Sequence, residues 1–135
     1  MSPNANLEAD FEFFYSERVT RASQRLEQAA LGHAVGVGGY TTVAQANELV
    51  DHLQLDPQDL LLDLGAGRGW PGVYIAQQSG CHLVALDIPL EAMRLARANM
   101  QPVRPGRTCA AVVADGRAQP FVPGAFDAIV HADSF

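Results

Sequence analysis

Apolar residues recur at three- and four-residue spacing from about Leu7 to Leu31, at Phe11, Phe14, Tyr15, Val19, Ala22, Leu26 and Ala29. That period predicts one long helix with these side chains inward, stopped at Gly32. A glycine-rich stretch follows, with Gly32, Gly36, Gly38 and Gly39. Thr42 and Gln45 then have the spacing of a capping box. They open a second helix to Leu53, with Val43, Ala46, Val50 and Leu53 on one side.

Beyond Leu55 the pattern changes. Leu60–Leu64 is a short apolar run that meets glycines at once, as a strand buried on both faces would. Pro71 suits the first turn of a helix reaching about Ser79, with Gly80 as its end. His82–Leu86 predicts a second strand, and Pro89 begins a helix with Leu90, Met93, Ala96 and Met100 inward. Thr108–Ala114 and Phe126–His131 predict a third and a fourth strand. Strands alternating with helices imply parallel pairing through right-handed crossovers, hence an α/β, Rossmann-like sheet with flanking helices, preceded by N-terminal helices. The chain divides into an N-terminal helical cap or lid, residues 1–58, and a nucleotide-binding core, residues 59–135.

The chemistry concentrates where the first strand ends, in Leu61-Leu62-Asp63-Leu64-Gly65-Ala66-Gly67-Arg68-Gly69. Alternating glycines permit positive φ and close backbone approach to a ligand, and a helix start offers free N–H groups. Together they predict a nucleotide-sized notch at the carboxyl edge of the sheet. The dinucleotide fingerprint G-x-G-x-x-G, counted from Gly65, has the bulky Trp70 at its last position; counted from Gly67 it fits through Gly72, but begins four residues after Asp63 and includes Pro71. A carboxylate at Asp63 would repel pyrophosphate but is compatible with the ammonium and sulfonium of S-adenosylmethionine. Asp87, closing the second strand, can accept from both ribose hydroxyls, as the acid of NAD sites also does. Asp115, just past the third strand, can accept from an adenine amine.

These motifs, with Asp115-Gly116 and Gly124-Ala125-Phe126-Asp127-Ala128-Ile129-Val130, resemble in order those of class I S-adenosylmethionine-dependent methyltransferases. The segment Asp115 to Val130, with Pro120-Phe121 at its middle, is similar to the small-molecule branch. The resemblance covers about Asp59 to Phe135. It implies that Gly65, Ala66, Gly67 and Gly69 line the methionine portion of the cofactor and that Asp63 orients its amino group. Asp87 would bind the ribose diol, Ile88 would lie against adenine, Asp115 would bind the adenine amine, and Gly116 would pack near the ring. Tyr40, in a glycine-tyrosine element, would cover the cofactor. Arg68-Gly69-Trp70-Pro71-Gly72 departs from common family usage. The resemblance further implies seven strands in the order 3-2-1-4-5-7-6, of which four are visible here. The expectation is therefore a C-terminally truncated chain with an open sheet edge suited to self-association.

Each assignment has a structural alternative. Asp63 could be a buried helix cap, Asp87 the cap of the Pro89 helix, and Asp115 a turn residue. Tyr40 could pack on the sheet as a loop aromatic. His131, at the end of the fourth strand, is a candidate general base, although an isolated histidine is more often structural; Asp133 is read in the same way. Arg18, Arg21 and Arg25 share one helix face, read as solvated. The Phe11-Phe14-Tyr15 group is read as core.

Composition narrows the field. The formal charge is −6 and all nine basic residues are Arg, which argues against nucleic-acid binding and removes lysine chemistry. No apolar run suggests a membrane span and no signal peptide is indicated, so the expected compartment is the cytoplasm. Cys81 and Cys109 lack zinc-site spacing and read as small buried hydrophobes; no metal is expected. The implied reaction is direct displacement of a sulfonium methyl by a small-molecule acceptor. A nicotinamide-dependent oxidoreductase and a non-catalytic, partner-binding remnant are the alternatives.

Overall fold

The computed structural model describes residues 3–16, 19–34, 39–100 and 106–132. In chain order its elements are helices α1 (Pro3–Ser16), α2 (Arg21–Leu31) and α3 (Val43–Leu53), strand β1 (Leu60–Leu64), helix α4 (Gly72–Ser79), strand β2 (His82–Asp87), helix α5 (Leu90–Asn99) and strand β3 (Cys109–Val113). A 3-10 turn (Gly116–Ala118) and strand β4 (Ala128–Val130) follow. The four strands form one parallel sheet ordered β3-β2-β1-β4. This is the α/β, Rossmann-like arrangement expected. Among the described residues no helix is long and apolar enough to cross a membrane.

β1 lies at the centre of the sheet. It pairs Leu61 with Leu83 and Asp63 with Ala85 on one side, and Asp63 with Val130 on the other. Leu61, Leu62, Ile75 and Leu83 are fully buried. Each such side chain contributes about 1.5–3 kcal/mol by leaving water. Ala76, Ala92, Met93 and Ala96 from α4 and α5, with Met100 just past α5, complete the core. At the edge away from the glycine loop, Leu60 N–H donates to Asp127 Oδ2 at 2.8 Å, tying the starts of β1 and β4 together. Both cysteines are free, Cys81 buried and Cys109 partly so.

Three expectations need correction. The long first helix is two: Thr20 opens α2 with a capping box shared with Ser23. The predicted apolar stripe of α2 is not buried; Leu26 is 72% exposed and Val19, just before the helix, 44%. Leu90, expected inward, is 47% exposed because it stands in the first turn of α5. Gly32 and Gly80 end α2 and α4 in the left-handed conformation, and the Thr42–Gln45 box opens α3, all as expected. Arg21 and Arg25 are exposed. Arg18, Gly36, Gly38, Asp133 and the side chain of Phe11 lie outside the described residues.

Candidate functional site

The turn from β1 into α4 is held by its own backbone. Gly65 N–H and Ala66 N–H both donate to the Leu86 carbonyl, at 2.8 and 3.1 Å. Gly67 N–H donates to Asp87 Oδ2 at 2.8 Å, and Gly69 N–H to the Ala66 carbonyl at 2.8 Å. Gly72 N–H, at the start of α4, donates to Asp63 Oδ2 at 3.0 Å. The expected row of free N–H groups is therefore absent at these five positions: carbonyls and carboxylates of β1, β2 and the turn itself have already taken them. A pyrophosphate needs such donors, and these five are not open to one. It is a tight, acid-lined bend.

Asp63 is where the sequence placed it, at the end of β1, but its side chain takes the capping role. It is 1% exposed, seated against Gly72, where an added Cβ would stand 2.7 Å from the Asp63 Cβ. Burial pushes its carboxyl up to about 7; the Gly72 hydrogen bond works against this and the Asp87 charge adds to it. A carboxyl so placed is only partly ionised near neutrality. The repulsion of pyrophosphate first assigned to Asp63 thus falls mainly to Asp87.

Asp87 is half-buried at the tip of β2. Its Oδ1 accepts from Ile88 N–H at 2.8 Å while Oδ2 holds Gly67. It does not cap α5, which disposes of the structural alternative. That duty belongs to Glu12 of α1, whose carboxylate accepts from Leu90 N–H at 2.6 Å and Glu91 N–H at 3.2 Å. Each Asp87 oxygen keeps a lone pair, and the adjacent Ile88 is 38% exposed.

α1 also reaches the glycine turn. Gly67 has φ +53°, and a Cβ there would stand 2.8 Å from the Tyr15 hydroxyl. The Tyr15 phenol is pushed up by burial and by Asp87 and pulled down by Arg68. Phe14 and Tyr15 meet edge to face at 5.2 Å. Of this aromatic group, read as core from the sequence, Tyr15 packs on the core and Phe14 is 44% exposed. Trp70 donates from Nε1 to the Thr41 carbonyl at 2.8 Å and stacks on buried His33 at 4.0 Å, joining the start of α4 to the segment before α3.

Asp115 behaves differently. It opens the 3-10 turn by accepting from Arg117 N–H at 2.9 Å, and the Arg117 guanidinium grips its carboxylate, Nη2 to Oδ2 at 2.6 Å. Hydrogen bonds from Arg117 hold its carboxyl at about 2. Gly116 packs on Leu64, whose Cδ1 stands 2.8 Å from where a Cβ would be. Tyr40, 82% exposed, lines a cavity of about 460 Å³ with Gln45, Glu48, His52, Val130 and His131. The structure thus brings Tyr40 and His131 together, and no residue of the glycine turn lines that cavity. Among the described residues no group of three metal-ligating side chains gathers.

A family model described as a methyltransferase domain matches residues 61–135, over half of the chain. The chain belongs to the methyltransferase-domain family. With the consumed amides, this membership sets aside the dinucleotide oxidoreductase alternative. Two curated relatives are similar: phosphoethanolamine N-methyltransferase of Triticum aestivum, 31% identical over 102 residues, covering 74% of this chain and 19% of that protein; and glycine/sarcosine/dimethylglycine N-methyltransferase of Actinopolyspora halophila, 32% identical over 117 residues, covering 77% and 20%. The chain thus spans about a fifth of the length of the curated relatives it matches. Among solved structures, geranyl diphosphate C-methyltransferase of Streptomyces coelicolor, crystallised with Mg²⁺, geranyl diphosphate and S-adenosyl-L-homocysteine, superposes with a TM-score of 0.67 at 21% identity. The match covers 97% of this chain and 56% of that one. The fold is that of class I S-adenosylmethionine-dependent methyltransferases, with a sheet shorter than the full domain.

Sequence reasoning missed Glu12, Tyr15, Arg68 and Arg117. One signal was available: Ile88-Pro89 offers α5 no capping side chain, which leaves its first amides open to a carboxylate from elsewhere in the chain.

Proposed function

We propose that the chain binds S-adenosylmethionine between the glycine turn and the tip of β2 and supports methyl transfer to a small-molecule acceptor. One observation carries this reading. The turn amides at 65, 66, 67, 69 and 72 are bonded internally, and Asp87, which holds Gly67 at the tip of β2, keeps acceptor capacity on both oxygens. Such a site favours a cationic, phosphate-free adenosyl ligand over a pyrophosphate. When bound, the cofactor supplies an electrophilic methyl on sulfur.

The chain's own residues position and shield. Asp87 would accept from the ribose hydroxyls, and Ile88 would cover a face of adenine. Gly65, Ala66, Gly67 and Gly69 would pass beside the methionine portion. Asp63, beneath them, would set the turn through Gly72 rather than touch the amino group. Asp115 would meet the adenine amine with the acceptor capacity that Arg117 leaves. Residues 1–58 would act as a cap, α1 covering the turn through Tyr15. The cavity lined by Tyr40, Glu48, His52 and His131 would take part in acceptor binding, with His131 as candidate base. Calorimetric titration tests this: S-adenosylhomocysteine should bind and NADH should give no heat. The reverse pattern rejects the reading.

A further inference from the structure

Arg68 stands between two glycines of the turn and is only 8% exposed. Its Nε is buried with no acceptor. Nη2 makes a single long hydrogen bond, 3.5 Å to the Tyr15 carbonyl. Among the described residues no carboxylate lies within ion-pair distance of it. The rings of Phe14 and Tyr15 lie 5.9 and 5.4 Å from the guanidinium carbon. Cation–π attraction offsets part of the lost hydration, but a buried charge without a counter-ion remains costly.

The surroundings say where the missing anion belongs. The Tyr15 hydroxyl abuts Gly67, and Gly67 is bonded to Asp87. The charges of Arg68 and Asp87 both act on that hydroxyl. Cation, phenol and acid thus share one neighbourhood at the turn. Asp87 is not the partner: its carboxylate lies beyond ion-pair distance of the Arg68 guanidinium.

We propose that Arg68 is the anchor for the α-carboxylate of the cofactor's amino-acid portion, an assignment that rests on the adenosyl-ligand reading above. The guanidinium fork matches a carboxylate, and its exclusion from water strengthens the pairing. The site is then complementary to a zwitterion, with acids toward the adenosine side and one buried cation toward the carboxylate.

Two ligands isolate this contact. S-Adenosylhomocysteine carries the amino-acid portion; 5′-methylthioadenosine has the same adenosine and thioether without it. Calorimetry on the whole chain should find that Arg68→Met weakens S-adenosylhomocysteine binding by about 10- to 100-fold while 5′-methylthioadenosine changes by less than about twofold. Arg68→Lys keeps the cation and should give the same selectivity with a smaller loss, which serves if the Met variant does not fold. Equal losses for both ligands would mean that Arg68 only seats α1, and an unchanged affinity for S-adenosylhomocysteine would remove the anchor; either overturns the assignment. A parent protein that binds neither ligand overturns the underlying reading as well, so the two failures are distinct.

Discussion

Asp87 closes β2 and Asp115 follows β3 by two positions, so along the sequence the two acids look alike. The fold treats them differently. β2 lies inside the sheet, between β1 and β3, and its tip is enclosed by the glycine turn. Asp87 is fixed there by two backbone amides, donors that cannot swing away. β3 is an edge, with Val113 50% exposed, and Asp115 is held by a neighbouring arginine that is itself in water. An acid at an interior strand tip becomes part of the scaffold. At an edge tip it keeps a partner that solvent and ligand can replace.

The comparison can be broken most severely beneath Asp87. Gly72→Ala would drive a methyl into the buried Asp63 carboxyl and should cost about 3 kcal/mol, read as a lower urea midpoint. Asp87→Ala leaves the Gly67 and Ile88 amides without their acceptor. It should cost about 2 kcal/mol in the same assay and abolish measurable S-adenosylhomocysteine binding.

Asp63→Asn sharpens the contrast through pH. The folded protein keeps the Asp63 proton to about 7, whereas the unfolded chain releases it near 3.8. Between those values the folded state binds more protons, so stability falls as pH rises, by at most about 1.4 kcal/mol per pH unit. The Asn variant, which keeps an acceptor for Gly72, should show a flatter profile from pH 4 to 7 in urea titrations. A parallel slope in both proteins would contradict the buried-carboxyl account. The smallest effect is expected at the edge: Arg117→Ala should leave the melting temperature unchanged by scanning calorimetry, and any change in cofactor affinity should be the smallest of the series.

The sheet was legible because β1 and β2 are short apolar runs, β1 meeting Gly65 at its end and β2 lying between Gly80 and Pro89, a pattern with few other outcomes. The break between α1 and α2 was not, because the apolar period runs through it and the N-terminal cap of α2 uses Ser23 in place of the expected Glu or Gln. The direction of Asp63 was also hidden. β1 is buried on both faces, so polarity gives no alternation from which to read which way a side chain points. Asp87 could be found because its place depends on one strand and the turn beside it. Glu12, Tyr15 and Arg68 could not, since their partnership depends on where a distant helix docks.

That docking also sets an order of events. Glu12 holds amides 78 and 79 positions further along the chain. Such a span closes only after β1, α4 and β2 have carried the start of α5 to its place. The amino-terminal helix is therefore expected to settle late, which amide exchange at Leu90 and Glu91 would check. Because no strand pair of the sheet involves α1, its departure would bare Gly67 and Arg68 without unpairing a strand.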